Sequence, residues 1–209
     1  MPTLLHIDAS PLGEASVSRH LSAEFVRKWR QTNPDGEVIT RDLTTSGIPP
    51  VDGNWAGAAY TPEESRTAAQ KEALALSETL IAELEAADEY VFGVPMHNFG
   101  IPSTLKLWID QIVRIGRTIA YGESGPVGLL KDKKATFLIA SGGEYHKGTP
   151  AEARDFVEPY LRLVFAFLGV SNPDFIAAGG TGALMSGKID RATFLKPFEE
   201  AVDARFAQA

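Results

Sequence analysis

Residues 88–115 read DEYVFGVPMHNFGIPSTLKLWIDQIVRI. A short apolar stretch runs into a loop rich in Pro, Asn and Gly, and this loop leads directly into the pattern of an amphipathic helix. The order predicts a loop at the carboxyl end of a buried strand, which is the edge where open α/β sheets bind small molecules. Met96, Phe99 and Ile101 make the loop more apolar than a plain surface turn. We therefore expect a flat, partly apolar ligand to lie against it.

The same alternation of apolar strand and helical pattern extends over the rest of the chain. Strands are predicted at 3–9, 37–43, within 88–95, at 134–141 and at 174–180, and a helical pattern follows each of them. Only the segment 44–60, which carries Trp55, is too long and too rich in Gly and Pro for a short connection, and it is predicted to be a loop. Five strands alternating with five helices predict an α/β fold, with a doubly wound five-stranded parallel sheet and helices on both faces.

Local signals predict where several of the helices begin or break. Two capping-box patterns, TPEE at 61–64 and TPAE at 149–152, each place Pro at the first helical position. The first is predicted to open a helix that reaches about Ala86. The second is predicted to open a helix that Pro159 kinks or splits, and Pro197 is predicted to interrupt the last helix.

Composition limits the class of protein. The 209 residues carry 20 basic and 27 acidic side chains, a formal net charge of −7, and Lys and Arg are not clustered in runs. Because nucleic-acid binding usually leaves a concentrated basic footprint, a nucleic-acid partner is not expected. Cysteine is absent, which excludes a disulfide framework, a thiolate nucleophile and a Cys-based metal site. Residues 1–209 are expected to form one domain.

The chain shows no targeting signal that we recognise. Its first residues, MPTLLHIDAS, have no basic segment, and their apolar run is too short for a signal peptide. No stretch approaches the roughly 20 continuous apolar residues of a membrane helix. We expect a cytoplasmic protein without a membrane partner.

The loop after the first strand, SPLGEASVS at 10–18, is a candidate anion site. It carries several serine hydroxyls and ends where a helix begins, and free N–H groups with the helix dipole favour phosphate there. The alternative is that Ser16 only caps the helix. Neither G-x-G-x-x-G nor a Walker lysine pattern occurs, which disfavours dinucleotide and triphosphate sites.

Two further loops follow the third and fourth strands. Pro95–Phe99 could present backbone N–H groups and apolar contacts to a heteroaromatic ring, although Met96 and Phe99 could equally be core side chains. In SGGEYH at 141–146, two glycines allow a ligand to approach the backbone, or simply form a tight turn.

Other chemistries find little support in the sequence. His146 is a lone loop histidine without an identified carboxylate partner, and neither Ser10 nor Ser141 lies in a G-x-S-x-G elbow, so hydrolase chemistry is disfavoured. His6 and His20 are explained by packing, and no metal-ligand spacing occurs, so no metal site is expected. Asp8 suggests a phospho-acceptor, but the third strand ends in Gly93-Val94-Pro95 without an acceptor Asp.

Taken together, S-x5-S-x-S after the first strand, PMHNFGIPSTLKLWID at 95–110 and SGGxY after the fourth strand resemble a known family. The chain is similar over nearly its whole length to the FMN-dependent NADH:azoreductases, relatives of the NAD(P)H:quinone oxidoreductases. The resemblance implies a flavodoxin-like fold, FMN as cofactor, and a homodimer whose active sites are shared across the interface. One departure is Ala140-Ser141 where Ser-Arg is commoner, which removes a cation near the cofactor.

The resemblance also implies roles for individual residues. Ser10 and Ser16–Ser18, including Val17, would hold the FMN phosphate, and the flavin ring would lie along Pro95, Met96, His97, Asn98 and Phe99. Ala140, Ser141, Gly142 and Gly143 would meet its pyrimidine edge. Tyr121 and Phe167 match aromatic positions over the exposed flavin face, and either Tyr145 or His146 would be a polar neighbour of the ring. The 44–60 loop with Trp55 is suggested to help form the partner's site.

The implied activity is reduction of quinones and azo compounds by NADH or NADPH, in a ping-pong reaction through the flavin. His97 is then a wall of the cofactor site, and no side chain is expected to be the certain catalyst. A flavodoxin-like electron carrier without a small-molecule substrate and a flavin-free interaction domain are the alternatives.

Overall fold

A computed structural model describes residues 1–123 and 125–207. Five parallel strands form its main sheet: β1 (Thr3–Asp8), β2 (Glu37–Asp42), β3 (Glu89–Pro95), β6 (Lys134–Ala140) and β7 (Asp174–Ala178). Their spatial order is β2-β1-β3-β6-β7. This is the flavodoxin-like order 2-1-3-4-5, in which the winding direction reverses between the first and third strands. The predicted α/β fold with a doubly wound parallel sheet is confirmed.

Helices cover both faces of this sheet. Within the described residues they are α1 (Val17–Thr32), α2 (Gly53–Tyr60), α3 (Ala68–Ala86), α4 (Ser103–Ile112), α5 (Glu158–Leu168), α6 (Gly182–Met185) and α7 (Arg191–Phe206). On α1, Leu21, Phe25 and Trp29 are all buried at the predicted spacing of four residues. They pack with Phe194 and Val202 of α7 in the core on one face. The other core lies beneath α3, α4 and α5.

The segment 44–60 was predicted to be a loop, but its second half folds as α2. The Asp52 side chain caps this helix by accepting a hydrogen bond from the Trp55 amide at 2.8 Å. The Trp55 indole nitrogen donates to Oε1 of Gln111 on α4 at 2.7 Å. These two bonds fix the short helix against the domain.

Two predicted helix starts are wrong. Thr61 ends α2 instead of opening α3: its hydroxyl donates to the Gly57 carbonyl at 2.8 Å. Residues Glu63–Ser65 form one 3-10 turn, and the true capping box joins Thr67 and Gln70 at the start of α3. A 3-10 turn likewise follows Thr149, and α5 begins only at Glu158.

The two prolines act differently from the prediction. Pro159 lies in the first turn of α5, where a missing N–H costs nothing, so it neither kinks nor splits the helix. Pro197 lies inside α7, which continues through it to Phe206. A small antiparallel pair, β4 (Ile119–Gly122) and β5 (Gly125–Gly128), was not predicted. No helix of the described residues is long and apolar enough to cross a bilayer.

Candidate cofactor site

Backbone pairing brings the predicted loops together at the carboxyl edge of the sheet. The Ala9 amide donates to the Gly93 carbonyl at 3.0 Å, immediately beyond β1. The Met96 amide donates to Ala140 at 2.7 Å, and the Ser141 amide donates to Ala178 at 3.1 Å. The loops after β1, β3, β6 and β7 therefore leave the sheet side by side.

A cavity of about 470 Å³ opens among these loops. Its volume lies within the range of small-molecule and cofactor sites, roughly 300–1,000 Å³. Eight predicted residues line it: Ser10, Ser16, Val17, Pro95, Met96, His97, Ala140 and Gly142. The other lining residues were not predicted individually, although two of them belong to the candidate anion loop 10–18. They are Leu12 and Ala15 of that loop, and Thr181, Leu184, Met185 and Arg191. Five predicted residues are not part of its lining: Ser18, Asn98, Phe99, Ser141 and Gly143.

The first loop gathers buried hydroxyls at the start of α1. Ser10, Ser16 and Ser18 are all buried, and the hydroxyls of Ser16 and Ser18 lie 3.2 Å apart. Ser16 does cap α1, since its hydroxyl accepts from the Arg19 amide at 3.2 Å. The first N–H groups of a helix have no partner within the helix, so this end attracts anions. Capping and anion binding are compatible here.

Arg19 supports the same loop from behind. Its Nε donates to the Ser10 carbonyl at 2.7 Å, and its guanidinium pairs with Asp42 at 2.7 Å and Asp8 at 3.6 Å. Burial raises the pKa of Asp42, but hydrogen bonds from Arg19 and Thr44 outweigh this and lower it to about 2. Asp42 is therefore ionised at neutral pH and fixes the Arg19 side chain.

The loop after β3 is a tight turn held under backbone strain. His97 and Gly100 exchange two backbone hydrogen bonds, of 2.9 and 3.0 Å. Asn98 and Phe99 between them have φ values of 50° and 70°. Asn tolerates this left-handed conformation, but Phe rarely adopts it. The strain is of the kind found at ligand sites.

The loop after β6 packs against this turn. The Tyr145 ring covers Gly143, where a Cβ would lie 2.8 Å from its hydroxyl oxygen. Tyr145 is half-buried and His146 is exposed, with the His146 carbonyl accepting from Thr149. Of these two residues, Tyr145 is the one whose ring contacts Phe99 in the loop after β3. A Cβ on Gly142 would meet no atom within 4 Å.

The loop after β7 is tied to the loop after β6 and leads into α6. Together they carry three of the residues that were not predicted, Thr181, Leu184 and Met185. The amides of Gly180, Thr181 and Gly182 donate to Gly143, Ser141 and Gly142 at 3.0–3.1 Å. α6 then places Leu184 and Met185 at the cavity. The signal that could have found this wall is Gly179-Gly180-Thr181-Gly182, a glycine-rich run that begins inside the fifth predicted strand and directly follows β7.

The two predicted aromatic residues of the substrate side stand apart from the cavity. Tyr121, on β4, is 69% exposed, and Phe167, on α5, is 37% exposed. Neither lines the cavity within this chain. Their place over the flavin stays a prediction.

The arrangement suits binding better than acid–base or nucleophilic catalysis. Buried hydroxyls and a helix N-terminus lie on the β1 side, and the remaining wall combines apolar side chains with backbone groups. This combination fits a ligand with a phosphate at one end and a flat ring at the other.

Comparisons with known proteins agree with this reading. The model of a family described as having a flavodoxin-like fold matches residues 2–202. A protein of Acidobacterium capsulatum named FMN-dependent NADH:quinone oxidoreductase is 55% identical over 202 residues, covering 97% of this chain and 98% of its own. FMN-dependent NADH:quinone oxidoreductase 3 of Burkholderia lata is 50% identical over 98% and 99% of the two chains.

Solved structures are similar over the same extent. The FMN-dependent NADH-azoreductase of Bacillus anthracis str. Ames Ancestor, in complex with FMN, has a TM-score of 0.87 and 25% identity, covering 100% of this chain and 99% of its own. Sequence identity, coverage and fold all point the same way. The chain belongs to the family of FMN-dependent NADH:quinone oxidoreductases, among the proteins of flavodoxin-like fold.

Proposed function

We propose that this protein is an FMN-dependent oxidoreductase that uses NADH or NADPH to reduce quinones and azo compounds. The observation that carries the proposal is the cavity beside the switch point between β1 and β3, with buried serine hydroxyls at the start of α1. In flavodoxin-like sheets this switch point is where FMN binds. The named activities of the relatives give the same reaction class.

The donors present fit the cofactor. The hydroxyls of Ser10, Ser16 and Ser18, with the backbone N–H groups at Val17 and Ser18, would hold the phosphate. Pro95, Met96, His97, Asn98 and Phe99 would run along the flavin, and Ala140, Ser141, Gly142 and Gly143 would meet its pyrimidine edge. Open space at Gly142 supports close approach of a ring to the backbone.

When bound, FMN would accept a hydride from the nicotinamide and pass the reducing equivalents to the second substrate. The chain's own residues then have the task of orienting and shielding the ring. Met96 and Leu184 would exclude water from the cavity, and the strained 98–99 turn would set the position of the loop beside it. A side-chain nucleophile is not required.

We further propose that two copies form the working enzyme. Apolar side chains are exposed on β4, β5 and α5, among them Tyr121, Val127, Leu163 and Phe167. An exposed apolar surface of this kind is typical of a protein interface. In a homodimer, Tyr121 and Phe167, with Tyr145 or His146, would contact the substrate, and Trp55 would approach the partner's site.

The proposal extends to the domain organisation and the location of the whole chain. Residues 1–209 would act as one FMN-binding domain, because the site draws on loops from β1 to the start of α7. A cytoplasmic location would match NADH as the electron donor, since this dinucleotide is an intracellular metabolite.

The alternative is an electron carrier of the same fold without a small-molecule substrate. Steady-state rates of NADH oxidation, measured with the FMN-loaded protein while NADH and a benzoquinone are both varied, separate the two. The proposed enzyme gives many turnovers per protein and parallel double-reciprocal lines, well above the rate with free FMN. A carrier gives no rate above that of free FMN.

A further inference from the structure

Arg191 connects the far end of the chain to the first loop. It is the first residue of α7, and its Nη1 donates to the Ala15 carbonyl at 2.8 Å. Its Nη2 donates to the carbonyls of Ser16 at 3.1 Å and Glu14 at 3.3 Å. The side chain also lines the cavity. One guanidinium thus holds three consecutive carbonyls of the loop that leads into α1.

Arg191 and Arg19 differ in whether carboxylates neutralise their charge. Arg19 pairs with two carboxylates, Asp42 and Asp8. Arg191 bonds to three neutral carbonyls, and within the described residues no carboxylate lies at ion-pair distance from it. Arg19 therefore adds little net charge to the loop, whereas Arg191 adds a full positive charge at the cavity wall.

The fixed loop before α1 and the charge of Arg191 both favour binding of an anion. Because the carbonyls of residues 14–16 are taken up by the guanidinium, the turn that precedes α1 is fixed, and with it the Ser16 and Ser18 hydroxyls. The positive charge adds to the field of the helix N-terminus. An anion bound in the cavity would lie partly out of water, where the attraction between opposite charges is stronger than in solution.

We propose that Arg191 is a positioning residue that sets the affinity for the phosphate group of the flavin. The inference deepens the proposed function and rests on it, since it takes FMN as the ligand. It concerns the phosphate only and not the ring. Affinity for riboflavin, which has the ring without the phosphate, is therefore independent of Arg191.

The test measures dissociation constants of FMN and riboflavin for the apoprotein, from quenching of flavin fluorescence. Arg191→Gln removes the positive charge and most of the hydrogen bonds to the loop. Arg191→Lys keeps the charge but cannot bond to all three carbonyls. Lys188→Gln is the matched control, because Lys188 is an exposed cation three residues earlier in the same connection. Thermal unfolding by circular dichroism checks that each variant is folded.

We expect Arg191→Gln to weaken FMN binding at least about tenfold, equivalent to about 1.4 kcal/mol, and to change riboflavin binding by less than about twofold. Arg191→Lys should fall between wild type and Arg191→Gln, and Lys188→Gln should match wild type. Unchanged FMN affinity in Arg191→Gln, equal weakening of both flavins, or the same loss in Lys188→Gln would overturn the inference. A wild-type protein that binds neither flavin would instead contradict the proposed function itself, and the inference with it.

Discussion

The ring of Phe99 meets the ring of Tyr145 edge to face, with 5.7 Å between centroids and 85° between the planes. The two residues belong to different loops, one after β3 and one after β6. Phe99 is held with a φ of 70°, and Tyr145 covers Gly143. This aromatic contact therefore joins the two loops that are proposed to contact the flavin.

The aromatic contact should be measurable as a coupling energy. Phe99→Leu, Tyr145→Leu and the double variant form a mutant cycle in which denaturant unfolding gives the free energy of each protein. Edge-to-face pairs contribute about 0.5–1.5 kcal/mol beyond their burial, and we expect a coupling in this range. If the two single effects simply add, the loops are held by other contacts.

Gly93 should tolerate no side chain, because a Cβ there would approach Oδ1 of Asp8 and lie 3.0 Å from the Ser18 carbonyl oxygen. Asp8 accepts a hydrogen bond from Ser22 at 2.7 Å, so it cannot move freely. Gly93→Ala is expected to lower the free energy of unfolding by about 1–3 kcal/mol. Gly57→Ala is the control: a Cβ there meets nothing within 4 Å, and Ala in a helix should stabilise by about 0.5–1 kcal/mol. Equal effects of the two substitutions would contradict the close packing of Gly93 against Asp8 and Ser18.

Gly142→Val separates folding from cofactor binding. The Cβ of the added side chain meets no atom within 4 Å in the protein alone, so the free energy of unfolding of the apoprotein should change by less than about 0.5 kcal/mol. The same side chain would stand where the flavin is proposed to approach the backbone. FMN affinity should therefore fall at least about tenfold. Undiminished binding, measured by fluorescence quenching, would mean that the ring does not lie against Gly142.

Glu89 should make the fold less stable as pH rises. Burial raises the pKa of this carboxyl, and the hydrogen bond from Trp29 Nε1 at 3.1 Å only partly offsets the effect. A carboxyl whose pKa is higher in the folded state than in the unfolded state costs stability when ionised. The cost is absent below the ordinary pKa of 4.5 and complete above the raised value.

Glu89→Gln is accordingly expected to raise the Tm at neutral pH and to lose this advantage in acid. The gain should be no more than a few degrees, since about 1 kcal/mol moves the Tm of a chain of this size by about 2–4 °C. Glu64→Gln, at an exposed position, should leave the Tm unchanged at both pH values. A gain in acid as large as that at neutral pH would show that the effect is not electrostatic.

Much of the fold was predictable because strong local patterns coincide with its elements. Buried strands read as short apolar runs, and Leu21, Phe25 and Trp29 repeat at the helical period. Helix starts were less predictable, since Thr61 can cap a helix on either side. In the folded chain it closes α2, because its hydroxyl reaches the Gly57 carbonyl. The β4–β5 pair is too short and too rich in Gly to give a strand pattern.

The candidate site was predictable where its residues follow a strand directly. Ser10, Met96 and Gly142 are of this kind, and all three line the cavity. Arg191 is different, because it lies 175 residues from Ser16, whose carbonyl it binds. These residues come together only because α7 packs against α1. A contact of this kind has no local signal in the sequence. Tyr121 and Phe167 do not line the cavity of one chain, and their role stays a prediction.

The most direct test of the central claim is an anaerobic absorption titration of the FMN-loaded protein. We expect NADH to bleach the visible band of the bound flavin, and subsequent addition of a quinone to restore it. These two half-reactions need the cofactor, the donor and the acceptor to meet in one site. A protein that binds no FMN, or whose bound FMN keeps its visible band in excess NADH, would contradict the account.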